Sequence, residues 1–159
     1  MTRKEQYNQL ILQIAGLIKD ETNLVGILAN VSAALHDAFP ERFFWVGFYL
    51  QENGNMLRLG PFQGSVACYV IPFGKGVCGK AWEEGRTLIV PDVEKFPGHI
   101  ACSSLSRSEI VVPMYDDSHT FRGVLDIDST RLNDFNEDDK EGLERIIELL
   151  MEETQNIFL

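Results

Sequence analysis

The chain has 159 residues, 45% of them hydrophobic and 24% charged, with a formal net charge of −10 at pH 7. That composition is an ordinary globular one, long enough to bury a real core. The acidic balance, with no cluster of Lys and Arg, argues against nucleic acid as the natural partner.

Taken in chain order, residues 4–19 place Leu10, Ile11, Ile14, Leu17 and Ile18 at helical spacing and predict an amphipathic helix. A second helix is expected over residues 24–38, with Pro40 as its stop. The period then changes. Residues 43–50 are aromatic and β-branched, and Asn53-Gly54-Asn55 turns the chain into residues 56–59, a hairpin signal. Residues 66–71 read as a third strand and 77–84 as a short helix terminated by Gly85. A short strand over 87–90 leads into an irregular serine-rich stretch, 91–108. Residues 109–115 and 121–127 read as two strands joined by the polar turn at Asp116, Asp117 and Ser118. Asn136, followed by three acids, caps a last helix expected over 137–157. Helices, then hairpin-linked strands, then a helix: the order predicts an α+β fold with a largely antiparallel sheet.

Nothing approaches the roughly 18 consecutive apolar residues of a membrane span, and no signal-peptide pattern opens the chain. The expectation is one free-standing domain over 1–159, cytoplasmic, without membrane or nucleic-acid partners and without an attached output module. The acids gathered in 137–153 read first as a solvated helix face, and only weakly as a surface for a partner protein.

Residues 74–79, GKGVCG, match the G-x-G-x-x-G dinucleotide fingerprint. That mechanism needs a βαβ unit, and about eight residues are too few for a helix that crosses a sheet. Glycines that permit a tight loop are the simpler reading. Cys78 within that string opens the short helix, where unpaired N–H groups and the dipole favour thiolate. Cys102 lies in a polar loop near His99 and Arg107. Neither reads as a core position, whereas Cys68, in an apolar strand, reads as structural. Three cysteines without closely paired spacing do not form a secreted disulfide framework. A zinc site would draw on pairs such as C-x₂₋₄-C, and none is present, so no metal is expected. His99 reads as a packed or hydrogen-bonded loop residue rather than a ligand.

Asp126 and Asp128 flank Ile127, so both project from one face of a strand. Two acids aimed the same way repel, and such a pair binds a cation or holds a proton on one member; the alternative is an exposed strand end. Glu109, opening the preceding strand, can reach the same place. Trp45 and Tyr49, four apart on the first strand, share a face and either line a pocket or fill the core.

Four strings in order, GPFQGSVACYVI (60–71), GKGVCG (74–79), FPGHIACSSLSRSEIVVP (96–113) and GVLDIDS (123–129), closely resemble the free methionine-(R)-sulfoxide reductases, which are single GAF-domain enzymes. The resemblance covers nearly the whole chain. It implies that Cys102 is the nucleophile, that Cys78 resolves it, and that Cys68 is a further thiol able to join the exchange. It implies substrate-site roles for Glu109, Asp126 and Asp128, and a wall at Trp45 and Tyr49 for the substrate's methyl end. No cofactor is implied. The implied partners are free methionine sulfoxide and thioredoxin or a similar dithiol, and a homodimer is left open as the assembly. The chain departs from the family's pattern at Ser103, where an acid commonly follows the nucleophile, and in a slightly longer 116–121 turn. The chemistry suits the residue types: a thiolate attacks sulfoxide sulfur once the oxygen is protonated, and a second thiol condenses with the resulting sulfenic acid. The competing reading of the same fold is a ligand-sensing module without turnover.

Overall fold

The computed structural model describes residues 1–158 and contains four helices and six strands. The chain runs α1 (Arg3–Ile18), α2 (Leu24–Ala38), β1 (Trp45–Glu52), β2 (Met56–Gln63), β3 (Val70–Pro72), α3 (Gly76–Glu84), β4 (Leu88–Val90), β5 (Ser108–Tyr115), β6 (Phe121–Ser129) and α4 (Glu137–Thr154). The helix starts carry the expected chemistry. Thr2 and Glu5 form a capping box on α1, Asn136 and Asp139 form another on α4, and the Asn23 side chain accepts from the Gly26 N–H on α2.

The strands form one sheet in the order β3-β2-β1-β6-β5-β4, and every neighbouring pair is antiparallel. The α+β expectation holds. With no parallel pair there is no βαβ unit, and the 74–79 glycines serve the loop. A Cβ at Gly79 would stand 2.5 Å from the Pro72 carbonyl oxygen.

Alternation along the three central strands sorts side chains onto two faces. Val46, Phe48, Ile110, Val112, Leu125 and Ile127 join the core under α1, α2 and α4. Trp45, Tyr49, Val111 and Val124 point the other way, into a smaller core with Leu57, Ile71, Val77, Cys78 and Ala81. The helical layer is tied together by one buried carboxylate. Asp139 accepts from Tyr7 Oη at 2.6 Å, Arg3 Nη1 at 2.8 Å, Arg42 Nη2 at 2.9 Å and the Asn136 N–H at 2.9 Å. The Arg42 guanidinium also lies over the rings of Phe39, Phe43 and Phe135.

Three expectations need correction. The third strand was expected over 66–71, but only Val70–Pro72 pairs. Residues 64–69 are instead held by side chains of β1: Trp45 Nε1 donates to the Ser65 carbonyl and Tyr49 Oη to the Cys68 carbonyl, both at 3.0 Å. Cys68 therefore lies in a loop, not a strand. Cys78, expected off the core, is 3% exposed and packed within it, because α3 lays its first turn on the sheet. The last helix also stops at Thr154, three residues short of the expected end.

Candidate active site

The register of the central strands assembles the acids. Glu109 on β5 pairs with Asp128 on β6, and Trp45 on β1 pairs with Asp128 from the other side. Asp126 lies between Val111 and Gly47 in the same ladders. One face of the sheet thus carries three carboxyls from two strands. Above them, the 64–69 and 98–107 loops and the start of α3 close a pocket. It is lined by Trp45, Tyr49, Glu109, Asp126, Asp128 and Cys102, with Cys78 and His99 among the rest. The pair at 126 and 128 is no exposed strand end.

Sequence reasoning did not assign His99 to the site. Its Nε2 lies 3.8 Å from Glu109 Oε1. Its only sequence signal was its place three residues before Cys102. Ile100, Ser106 and Val66 also line the pocket and carried no signal, because loop closure brings them there.

Burial sets the electrostatics. It pushes Glu109 well above the usual carboxylate range, and the Asp126 and Asp128 charges push further. Asp128 is raised in the same way by burial, then by Asp126. Asp126 is raised by burial too, but the Glu109 carboxyl, the Cys78 thiol and the His99 ring pull it back. Of the three, Asp126 is therefore the first to lose its proton as pH rises. Burial also depresses His99, which weakens an ion pair across the His99–Glu109 contact. Asp126 Oδ1 is buried without a hydrogen-bond partner. An orphaned carboxylate oxygen on a pocket wall is costly unless a ligand donor meets it.

The cysteines divide differently from the expectation. Cys102 is joined to Cys68, with the Cα atoms 5.5 Å apart and the residues 34 apart in sequence. Cys78, expected to exchange with Cys102, is the free thiol among the described residues. Nor does its helix start favour thiolate. Burial pushes the Cys78 thiol up, and Asp126, Glu109 and Asp128 add to the effect, outweighing the dipole of a nine-residue helix. Cys78 Sγ and one oxygen each of Glu109 and Asp126 lie within 4.8 Å of one another. That trio is compact enough to grip a small cation, an ammonium group included.

Residues 21–151 match the family model described as "GAF domain". The chain is 43% identical over 155 residues to the free methionine-R-sulfoxide reductase of Saccharomyces cerevisiae, covering 94% of this chain and 86% of the relative. It belongs to the free methionine-R-sulfoxide reductases. The match with GAF domain-containing protein A of Dictyostelium discoideum is 56% over 149 residues, 94% of this chain and 92% of that one. The crystal structure of the Neisseria meningitidis free methionine-R-sulfoxide reductase in complex with its substrate superposes with a TM-score of 0.94 at 46% identity, covering 99% of this chain and 93% of that one. The fold is therefore a GAF fold, and the chain is an enzyme of this reductase family. As in any such family, the activity is carried by the site rather than the fold.

Proposed function

We propose that this reductase acts on free L-methionine-(R)-S-oxide, with Cys102 as nucleophile and Cys68 as the resolving thiol. The observation that carries the reading is the position of Cys102. It lies on the wall of a pocket that also holds the buried carboxyls of Glu109 and Asp126, the half-buried one of Asp128 and two aromatic rings, while already disulfide-bonded to Cys68. A ligand-sensing module would need the pocket but not a cysteine pair at its mouth.

The reduced Cys102 thiolate attacks the sulfoxide sulfur while a protonated carboxyl, Glu109 or Asp128, hydrogen-bonds to and protonates the leaving oxygen. The S–O bond breaks, methionine departs, and Cys102 is left as sulfenic acid. The Cys68 thiol condenses with it, releasing water and forming the disulfide. A dithiol such as thioredoxin, with a potential of about −270 mV, returns both cysteines to thiols. Asp126, the charged acid with an orphaned oxygen, receives the substrate ammonium. Trp45 and Tyr49, with ring centroids 5.8 Å apart, receive the methyl end.

Three fixed contacts on oxygen, methyl and ammonium admit one configuration at sulfur. The test compares four substrates under thioredoxin recycling: the R and S epimers of free L-methionine sulfoxide and their N-acetyl derivatives. Reduction should be confined to the free R epimer, because acetylation removes the charge that Asp126 meets and leaves a buried carboxylate unpaired. Comparable rates on the R and S epimers, or on free and acetylated R substrate, would overturn the reading.

A further inference from the structure

The two sulfurs of the disulfide are not equivalent. Cys102 lines the pocket, whereas Cys68 is absent from the pocket wall and sits in the outer 64–69 loop. Around them, apolar side chains stand in solvent. Val66 is 87% exposed, Tyr69 78% and Leu105 58%. These are three of ten large apolar side chains exposed among the described residues. All three lie within three residues of a disulfide cysteine, at most about 10 Å of chain away. Exposed apolar groups scattered singly need no explanation, but a group gathered at a reactive bond does.

The charge pattern is as uneven. In a chain with 24 acids, no Asp or Glu occurs between Glu52 and Glu83 or between Glu94 and Glu109. The two segments that carry the disulfide are the cores of those stretches. Their cations include Lys75, Lys95 and Arg107. On a molecule of net charge −10, the two segments that carry Cys68 and Cys102 form a window with no acids of its own.

We propose that this window, with Tyr69 and Leu105 as its anchors, is the docking surface for a protein dithiol reductant that attacks the disulfide at Cys68. The proposal rests on the recycling step given above and adds where the reductant sits and which sulfur it takes. The reductant's thiolate forms a mixed disulfide with Cys68, and the Cys68–Cys102 bond breaks with its electron pair on Cys102. The reductant's second thiol then displaces Cys68, leaving two thiols here and a disulfide on the reductant. Attack at the outer sulfur frees Cys102 as a thiolate facing the pocket, ready for the next substrate. An apolar contact suits a protein of like net charge, for which an acidic rim would repel the encounter.

The test uses pre-oxidised protein with no sulfoxide present, so that it reads docking even if the substrate assignment fails. Reduction of the disulfide by reduced thioredoxin is followed by thiol appearance, in parallel with reduction by dithiothreitol. Tyr69→Ser and Leu105→Ser should each slow thioredoxin about tenfold, while the dithiothreitol rate stays unchanged. Leu12→Ser, an equally exposed site on α1, should change neither. Thioredoxin carrying serine at its second cysteine should be trapped on Cys68, read by peptide mass mapping. Unchanged thioredoxin rates in both variants, an equal fall with dithiothreitol, a fall in the Leu12 control, or trapping on Cys102 would each overturn the proposal.

Discussion

At the scale of single residues, the site is a problem of crowded carboxyls. Glu109 and Asp128 face each other across the β5–β6 ladder, where two like charges are unfavourable. Retaining protons is the cheaper solution. Asp126→Asn should raise KM by about 10- to 100-fold with a smaller change in kcat, the loss of one charge-assisted contact. Steady-state kinetics on the free R epimer reads this split. Cys102→Ser should abolish turnover. Cys68→Ser should complete one turnover at near-normal rate and accumulate a sulfenic acid on Cys102 that dimedone traps. Cys78→Ser should still form the Cys68–Cys102 disulfide. A Cys78→Ser protein that cannot form it would return the resolving role to Cys78.

Among the elements, β1 has two duties. Val46 and Phe48 anchor it to the helical core, while Trp45 and Tyr49 line the pocket and bind the carbonyls of the loop that carries Cys68. The loop is therefore positioned by the same side chains that line the pocket. Trp45→Phe should loosen it by removing the donor to Ser65, seen as faster amide exchange over 64–69 with the helical layer unchanged. The helical layer depends on a different contact. Arg42→Met removes the guanidinium from a buried carboxylate that Arg3 and Tyr7 only partly compensate. It should cost about 3 kcal/mol in urea unfolding, with the disulfide still forming.

For the whole molecule, the raised acids make stability depend on pH in the sense opposite to most acidic proteins. In the unfolded chain Glu109 and Asp128 ionise near the ordinary value of about 4. In the folded protein burial holds their protons to higher pH. Between those limits the folded state binds more protons, so these two groups make unfolding easier as pH rises. Their stabilising contribution is complete below the ordinary carboxylate range and is lost as pH climbs through the raised folded values. Urea midpoints measured across that window should fall less steeply with pH in Glu109→Gln than in the parent protein. A parallel slope in both proteins would mean that Glu109 is already ionised in the fold. No helix among the described residues is long and apolar enough to cross a membrane.

Much of this protein is determined by local sequence. Periodicity and capping residues gave α2 its limits at Leu24 and Ala38, and Gly85, in the left-handed conformation at φ 66°, ends α3 as expected. The two-residue period of a strand alone puts Asp126 and Asp128 on one face, and the ordered strings around the cysteines carried the family. Tertiary structure decided the rest, because it depends on which segments meet. That Glu109 stands opposite Asp128 follows from the β5–β6 register, which no local pattern encodes. The burial of Cys78 follows from α3 lying on the sheet, and it reverses the effect that the helix start alone would have on the thiol. The Cys68–Cys102 bond joins two positions 34 residues apart, and the loop that carries Cys68 is held by Trp45 and Tyr49 on a third segment. Sequence supplies the reactive groups and their local direction; only the closed sheet and its loops fix their partners and the solvent they lose, and those two quantities set the proton and redox state of each.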